Sequence, residues 1–207
     1  MKPNELDKFF GLTKPLNYTY LNNGVLTYGH DQISKQNGFM LQQFNLSYNQ
    51  LKTFLSYMIA FPGKKCLFMG NEYGQSGYWS YDRPLRGPIN KQQIDMGEYT
   101  KKLNHLYLNT PALYEKDFDP SGIDIIVNNN GDKVLAILRH GYNSSILCVC
   151  NFSDNDFTNY GMNNIKNYSS INLTLGTKEE DPKAYIDNNQ IYLTALPAHS
   201  AFFFEVK

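Results

Sequence analysis

The grammar of the chain changes near residue 110, and that change limits the folds open to it. Before it, helix-like and strand-like stretches alternate. Leu51, Phe54, Leu55, Met58 and Ile59 fall at helical spacing, and the run stops at the breaker pair Pro62-Gly63. Cys66–Met69 follows as a short continuous apolar run, the pattern of a strand buried on both faces, and ends at Gly70. A loop rich in Gly and aromatics extends from Asn71 to about Asn90. Tyr99, Leu103, Leu106 and Tyr107 mark a second helix that ends before Thr110-Pro111. With the apolar strand Val25–Tyr28 ahead of them, these pieces read strand, helix, strand, helix. Two β-then-α units are the grammar of a parallel sheet or a barrel.

After residue 110 the chain becomes a series of short β-rich runs: Ile123–Val127, Val134–His140, Ile146–Asn151, Ile171–Leu175, Gln190–Leu193 and Ala201–Val206. Turn material separates them, notably Asn128-Asn129-Asn130-Gly131, Asp154-Asn155-Asp156 and Asp187-Asn188-Asn189. This pattern predicts an antiparallel sandwich packed on the preceding helix. The expected fold class is therefore α/β followed by all-β. The expected units are residues 1–109 and 110–207.

Charge narrows the partners. Nineteen Lys and Arg balance nineteen Asp and Glu. A nucleic-acid binder would carry a basic surplus, so no nucleic-acid partner is expected. No apolar run approaches the ~20 residues that cross a bilayer. MKPNELDKFF lacks an apolar signal-peptide core. No membrane partner is expected, and a cytoplasmic location is. Three cysteines make no disulfide framework; Cys148 and Cys150 alternate onto one strand face and read as buried thiols.

In barrels, functional groups gather where strands end and loops begin. His30, Asp31, Asn71 and Glu72 stand at such places. Standing alone, His30-Asp31 reads as a polar turn rather than a site.

Longer stretches carry a resemblance. PGKKCLFMGNEYGQ (Pro62–Gln75) resembles the eighth-strand region of glycogen and starch branching enzymes, members of the α-amylase-type superfamily. YWSYDRPL (Tyr78–Leu85) resembles their next loop, and LNHLYLNTPALYEKDFDPSG (Leu103–Gly122) the junction into their C-terminal domain. LCVCNFSDNDFTNYGM and LPAHSAFFFEV resemble strands of that domain. The similarity covers most of residues 20 to 207.

The resemblance implies the last two units of a (β/α)8 TIM-type barrel followed by a C-terminal β-sandwich. It implies retaining chemistry on an α-glucan such as glycogen or amylose-like chains: cleavage of an α-1,4 link, a covalent glycosyl-enzyme, and transfer to a 6-hydroxyl. It implies that Asp31 is the third catalytic carboxylate, which stabilises the transition state. His30, Gln32, Glu72, Trp79, Tyr81 and Asp82 become candidates for holding substrate. Tyr73, Trp79 and Tyr81 are candidate exposed rings.

The family places the nucleophile and the acid/base after its fourth and fifth strands, upstream of Val25. Alone, this chain is therefore expected to be inactive. Its partner would be the upstream part of the barrel, in the same or a separate chain. No cofactor and no metal are called for. Gln32 stands where the family usually has Glu, and Ser34-Lys35-Gln36-Asn37-Gly38 where a Gly-Lys usually follows. Two further readings fit the same residues: a non-catalytic glycan-binding or interaction module, and part of another amylase-type glycosidase.

Overall fold

The computed structural model describes residues 11–21, 24–28, 38–178 and 181–207. Helix α1 spans Leu16–Thr19 and strand β1 spans Val25–Tyr28. Helices α2 (Met40–Gln43) and α3 (Tyr48–Ala60) lead to strand β2 (Lys64–Leu67). β1 and β2 pair in parallel, with Val25 opposite Lys64 and Tyr28 opposite Leu67. Helix α4 spans Lys91–Asn109.

Local chemistry sets the ends of the two long helices. The Ser47 hydroxyl caps α3 by accepting from the Gln50 N–H at 3.3 Å. The α3 helix ends where Phe61 turns extended ahead of Pro62. The Asn90 carboxamide caps α4 by accepting from the Gln93 N–H at 2.9 Å. Thr110, again extended before a proline, ends it.

The all-β half contains β3 (Ile123–Asn129), β4 (Val134–His140), β5 (Ser145–Asn151), β6 (Phe157–Asn163), β7 (Ile171–Gly176), β8 (Ala184–Asp187), β9 (Gln190–Leu196) and β10 (Ser200–Val206). They form a five-stranded antiparallel sheet ordered β3-β4-β5-β10-β7 and a three-stranded one ordered β6-β9-β8. Asn188 and Asn189 both take left-handed backbone, with φ of 47° and 60°, as a two-residue type I′ hairpin turn requires between β8 and β9.

The five-stranded sheet is covered on both faces. Along β4, Val134, Ala136 and Leu138 join Val149, Phe202 and Phe204 against Met162, Ile191 and Leu193 of the smaller sheet. The alternate residues Leu135 and Ile137 join Cys148, Cys150 and Phe203 against Phe54, Tyr57 and Met58 of α3 and Tyr99 of α4. The sandwich therefore packs on both helices. Cys148 and Cys150 are buried thiols, 3.6 Å between sulfurs, and burial pushes the Cys148 thiol up.

The next helix-facing residue of β4 is Arg139, fully buried. Its guanidinium donates to the Ala60 carbonyl at 2.9 Å, the Gly122 carbonyl at 3.0 Å and Asp117 Oδ1 at 3.0 Å. Asp117 also accepts from the Gly63 N–H at 3.2 Å, from Lys64 Nζ at 3.1 Å and from the Tyr107 hydroxyl at 3.4 Å. Burial alone would raise the Asp117 carboxyl, but Lys65, Arg139 and the Gly63 N–H outweigh it and hold it below the usual range. Burial, reinforced by the Asp117 charge, pushes Tyr107 up to about 12. Lys65 donates to the Phe61 and Gly63 carbonyls, yet burial, aided by Arg139 and Lys64, pushes its ammonium down to about 7 against the pull of Asp117.

Some expectations need correction. β2 lies two residues earlier than Cys66–Met69, and it is not buried on both faces. Lys65 and Leu67 point toward α3 and α4, whereas Lys64 and Cys66 are exposed. Strands β6 and β8 are additional to those expected, and the segment from Asn71 opens with a 3-10 turn over Asn71–Tyr73.

Candidate functional site

Two glycines shape the end of β2. Gly70 (φ 91°) and Gly74 (φ 70°) bracket the 3-10 turn Asn71–Tyr73, both in the left-handed region that side chains avoid. A Cβ at Gly74 would also come within 2.9 Å of the Tyr48 ring. The reversal is closed by the Gln75 N–H donating to the Gly70 carbonyl at 2.8 Å. Inside it, Asn71 is buried. Its Oδ1 accepts from the Met40 N–H at 3.3 Å, while its Nδ2 is buried with no partner among the described residues. Tyr73 is buried too, at 8% exposure, and donates to Gln75 Oε1 at 2.6 Å; it is not an exposed ring.

Glu72 is half-buried. Its backbone carbonyl accepts from the Thr100 hydroxyl at 2.7 Å, and its side chain borders a recess of about 240 Å³ with Thr100, Lys101, Asn104 and His105 of α4. Trp79 lines a different recess, of about 150 Å³, with Phe39, Gln75, Tyr78, Arg83 and Arg86. Its ring stands edge-on to Phe68 (5.7 Å) and to Tyr81 (4.5 Å). The Arg83 guanidinium lies over the Tyr78 ring at 4.8 Å. Tyr81 is 91% exposed, and Asp82 is exposed beside it. The structure thus brings Trp79, Tyr81 and Asp82 onto one loop and sets Glu72 against α4, in a separate recess. His30, Asp31 and Gln32 lie outside the described residues.

Phe39, Gln75, Arg83 and Arg86 were not singled out from the sequence. Gln75 and Arg83 lie within the two quoted motifs, so the motif boundaries could have found them; Phe39 joins only through the fold, its N–H donating to the Gly77 carbonyl at 2.7 Å. Flat rings, a carboxamide and guanidinium groups suit a neutral polyhydroxyl ligand. No carboxylate is among the described residues lining the Trp79 recess, so these residues supply no carboxyl general acid or nucleophile.

Comparison with known proteins shows what the chain is similar to. Residues 125–207 match the family described as alpha amylase, C-terminal all-beta domain. The chain is 34% identical over 154 residues to the 1,4-alpha-glucan branching enzyme GlgB of Bordetella pertussis, covering 71% of this chain and 20% of that enzyme. It is 36% identical over 164 residues to the GlgB of Albidiferax ferrireducens, covering 72% of this chain and 25% of that enzyme. This chain matches the C-terminal part of a 1,4-alpha-glucan branching enzyme. It spans about a fifth to a quarter of the length of these relatives. In fold it is similar to the alpha-amylase from H. orenii, with a TM-score of 0.71 at 16% identity over 99% of this chain and 46% of that one. A second similar structure is that of AmyP in complex with maltose, with a TM-score of 0.70 at 18% identity over 93% of this chain and 43% of that one. The amylase-type architecture and the all-β C-terminal domain seen in the sheets agree with the branching-enzyme match.

Proposed function

We propose that the chain works as the C-terminal portion of a glucan branching enzyme, residues 1–109 forming the last two units of its (β/α)8 barrel and residues 110–207 its β-sandwich domain. The observation that carries this reading is the end of β2. A strand in a parallel pair runs into a glycine-bracketed Asn71-Glu72 turn, with the aromatic Trp79 loop beside it. In a barrel that is where substrate is met. The resemblance to branching enzymes supplies the reaction in this reading: an α-1,4-glucan is cut and the freed chain is passed to a 6-hydroxyl.

Such a retaining transfer needs a nucleophile and an acid/base carboxyl about 5–5.5 Å apart. In this reading both come from the barrel segment ahead of β1, and Asp31 adds the third carboxylate, gripping hydroxyls as charge develops in the transition state. His30, Gln32, Trp79, Tyr81 and Asp82 contact the glucan around it. Glu72, set against α4, contributes at the margin of the mouth.

The test is a chimera in which this chain replaces the corresponding C-terminal part of the Bordetella pertussis enzyme. New α-1,6 links are counted from iodine staining and debranched chain lengths. The chimera should branch amylose and the chain alone should not. Asp31→Asn in the chimera should lower turnover on the order of 10²–10³-fold. Branching by the isolated chain, or full turnover of the Asp31→Asn chimera, would refute the assignment of roles.

A further inference from the structure

The outer face of the three-stranded sheet carries a layered aromatic row. Gly161 on β6, Tyr192 on β9 and Tyr185 on β8 are register partners across three strands, on the face opposite Met162, Ile191 and Leu193. The Tyr192 ring lies over Gly161, so closely that a Cβ there would approach it to 2.9 Å. The Tyr185 ring stacks on Tyr192 with centroids 5.2 Å apart and planes 18° from parallel. Its hydroxyl reaches across β9 and donates to Asn159 Oδ1 on β6 at 2.7 Å. Asn159 holds a left-handed φ of 53° within that strand, a conformation Asn tolerates better than most residues. The Tyr185 ring is therefore backed by a second ring and pinned at its far end. Although Tyr192 backs it, Tyr185 keeps 41% of its surface exposed.

Two residues further along, about 7 Å away at strand spacing, a polar row runs beside the rings: Asn163, Gln190 and Asp187, again register partners. Gln190 Nε2 donates to Asn163 Oδ1 at 2.8 Å, and Asn188 Nδ2 donates to Asp187 Oδ2 at 3.1 Å. A carboxamide has two donors and two acceptor sites and a carboxylate about four acceptor sites, so these bonds use only part of the row's capacity. The two rows contain a single ionised side chain, Asp187. Such a face suits a neutral ligand with alternating C–H faces and hydroxyl edges, and gives no cationic anchor for a phosphate or an acidic peptide.

We propose that this outer face is a glucan-holding surface separate from the barrel mouth, on which a glucosyl ring of an α-1,4-glucan stacks against Tyr185 while its hydroxyls bond to Asn163, Gln190 and Asp187. The choice of an α-glucan rests on the function proposed above; the platform itself does not. Held there, a long chain would stay near the protein while its free end moves.

The experiment is titration of the isotopically labelled full chain with maltoheptaose, with cellohexaose as a control, followed by backbone amide shifts. Shifts should cluster at Gly161, Tyr185, Gln190 and Tyr192. Tyr185→Ala should weaken binding at least about tenfold at an unchanged unfolding midpoint. Absence of binding, shifts confined to the Trp79 loop, equal binding by Tyr185→Ala, or preference for cellohexaose would each overturn the proposal. Should Tyr185→Ala fail to fold, the shift map of the parent chain decides. An active chimera with no maltoheptaose binding at this face refutes only this inference; an inactive chimera with binding intact refutes only the reading of the mouth.

Discussion

Asp117→Ala should be among the most damaging single changes to this chain. The carboxylate is fully buried and faces Arg139, which is fully buried as well. Among the described residues, removing it leaves the guanidinium with the Ala60 and Gly122 carbonyls and strips the Gly63 N–H of its acceptor. Breaking a buried pair in this way costs about 3–5 kcal/mol, because one charge stays desolvated without its counter-ion. A domain's whole stability is about 5–15 kcal/mol, so the loss takes a large fraction. Urea unfolding followed by circular dichroism measures it as a fall in midpoint at constant slope. The double variant Asp117→Leu with Arg139→Met should recover most of the loss, since it removes both charges. The pH dependence has a definite sign. The folded carboxyl titrates below its unfolded value of about 3.9. Its contribution is therefore present above about pH 4 and disappears as pH falls through the lower folded value. Asp117→Asn should flatten that acid limb. A cost below about 1 kcal/mol for Asp117→Ala would refute the view that this pair ties β4 to α3 and β2.

Phe203→Ala removes a fully buried ring from the core between the five-stranded sheet and the helices; a loss of about 3–5 kcal/mol is expected in the same urea assay. Lys65 gives up its proton at about 7 in the folded chain and at about 10.4 when unfolded. Between those values the unfolded chain binds more protons, so stability should rise with pH, and Lys65→Met should abolish the rise.

The fold was legible where alternation was undisturbed. Val134–His140 reads cleanly because every residue but the last is buried, one set facing each core. The Asn188-Asn189 turn reads because few other residues accept two left-handed positions in succession. Strand β6, FTNYGMN, escaped because Asn159 and Gly161 break its pattern, and both are explained only by Tyr185 and Tyr192, which arrive more than twenty residues later. β2 was misplaced because Lys64 and Lys65 look like loop residues. Their ammonium groups are held by Asp117 and by two backbone carbonyls, partners that no local window contains. For the same reason Arg139 could not be told from an exposed strand end. The motifs singled out Glu72 and Trp79 as candidates, but only the fold shows that they border different recesses.

The distribution of covering elements explains why stability and site are carried by different parts of this chain. The five-stranded sheet has helices on one face and a second sheet on the other, so its central strands lose both edges and both faces to protein. Among the described residues β1 and β2 bond only to each other, and each keeps one edge free. A free edge in a parallel pair exposes unpaired N–H and C=O groups that another strand satisfies. The candidate site therefore sits beside a strand pair whose outer edges are unpaired among the described residues. Asn71 Nδ2 lies at the same end, buried and without a partner among the described residues, and a buried donor is costly unless something satisfies it. The Arg139–Asp117 pair joins the halves, fixing the start of β2 to the five-stranded sheet.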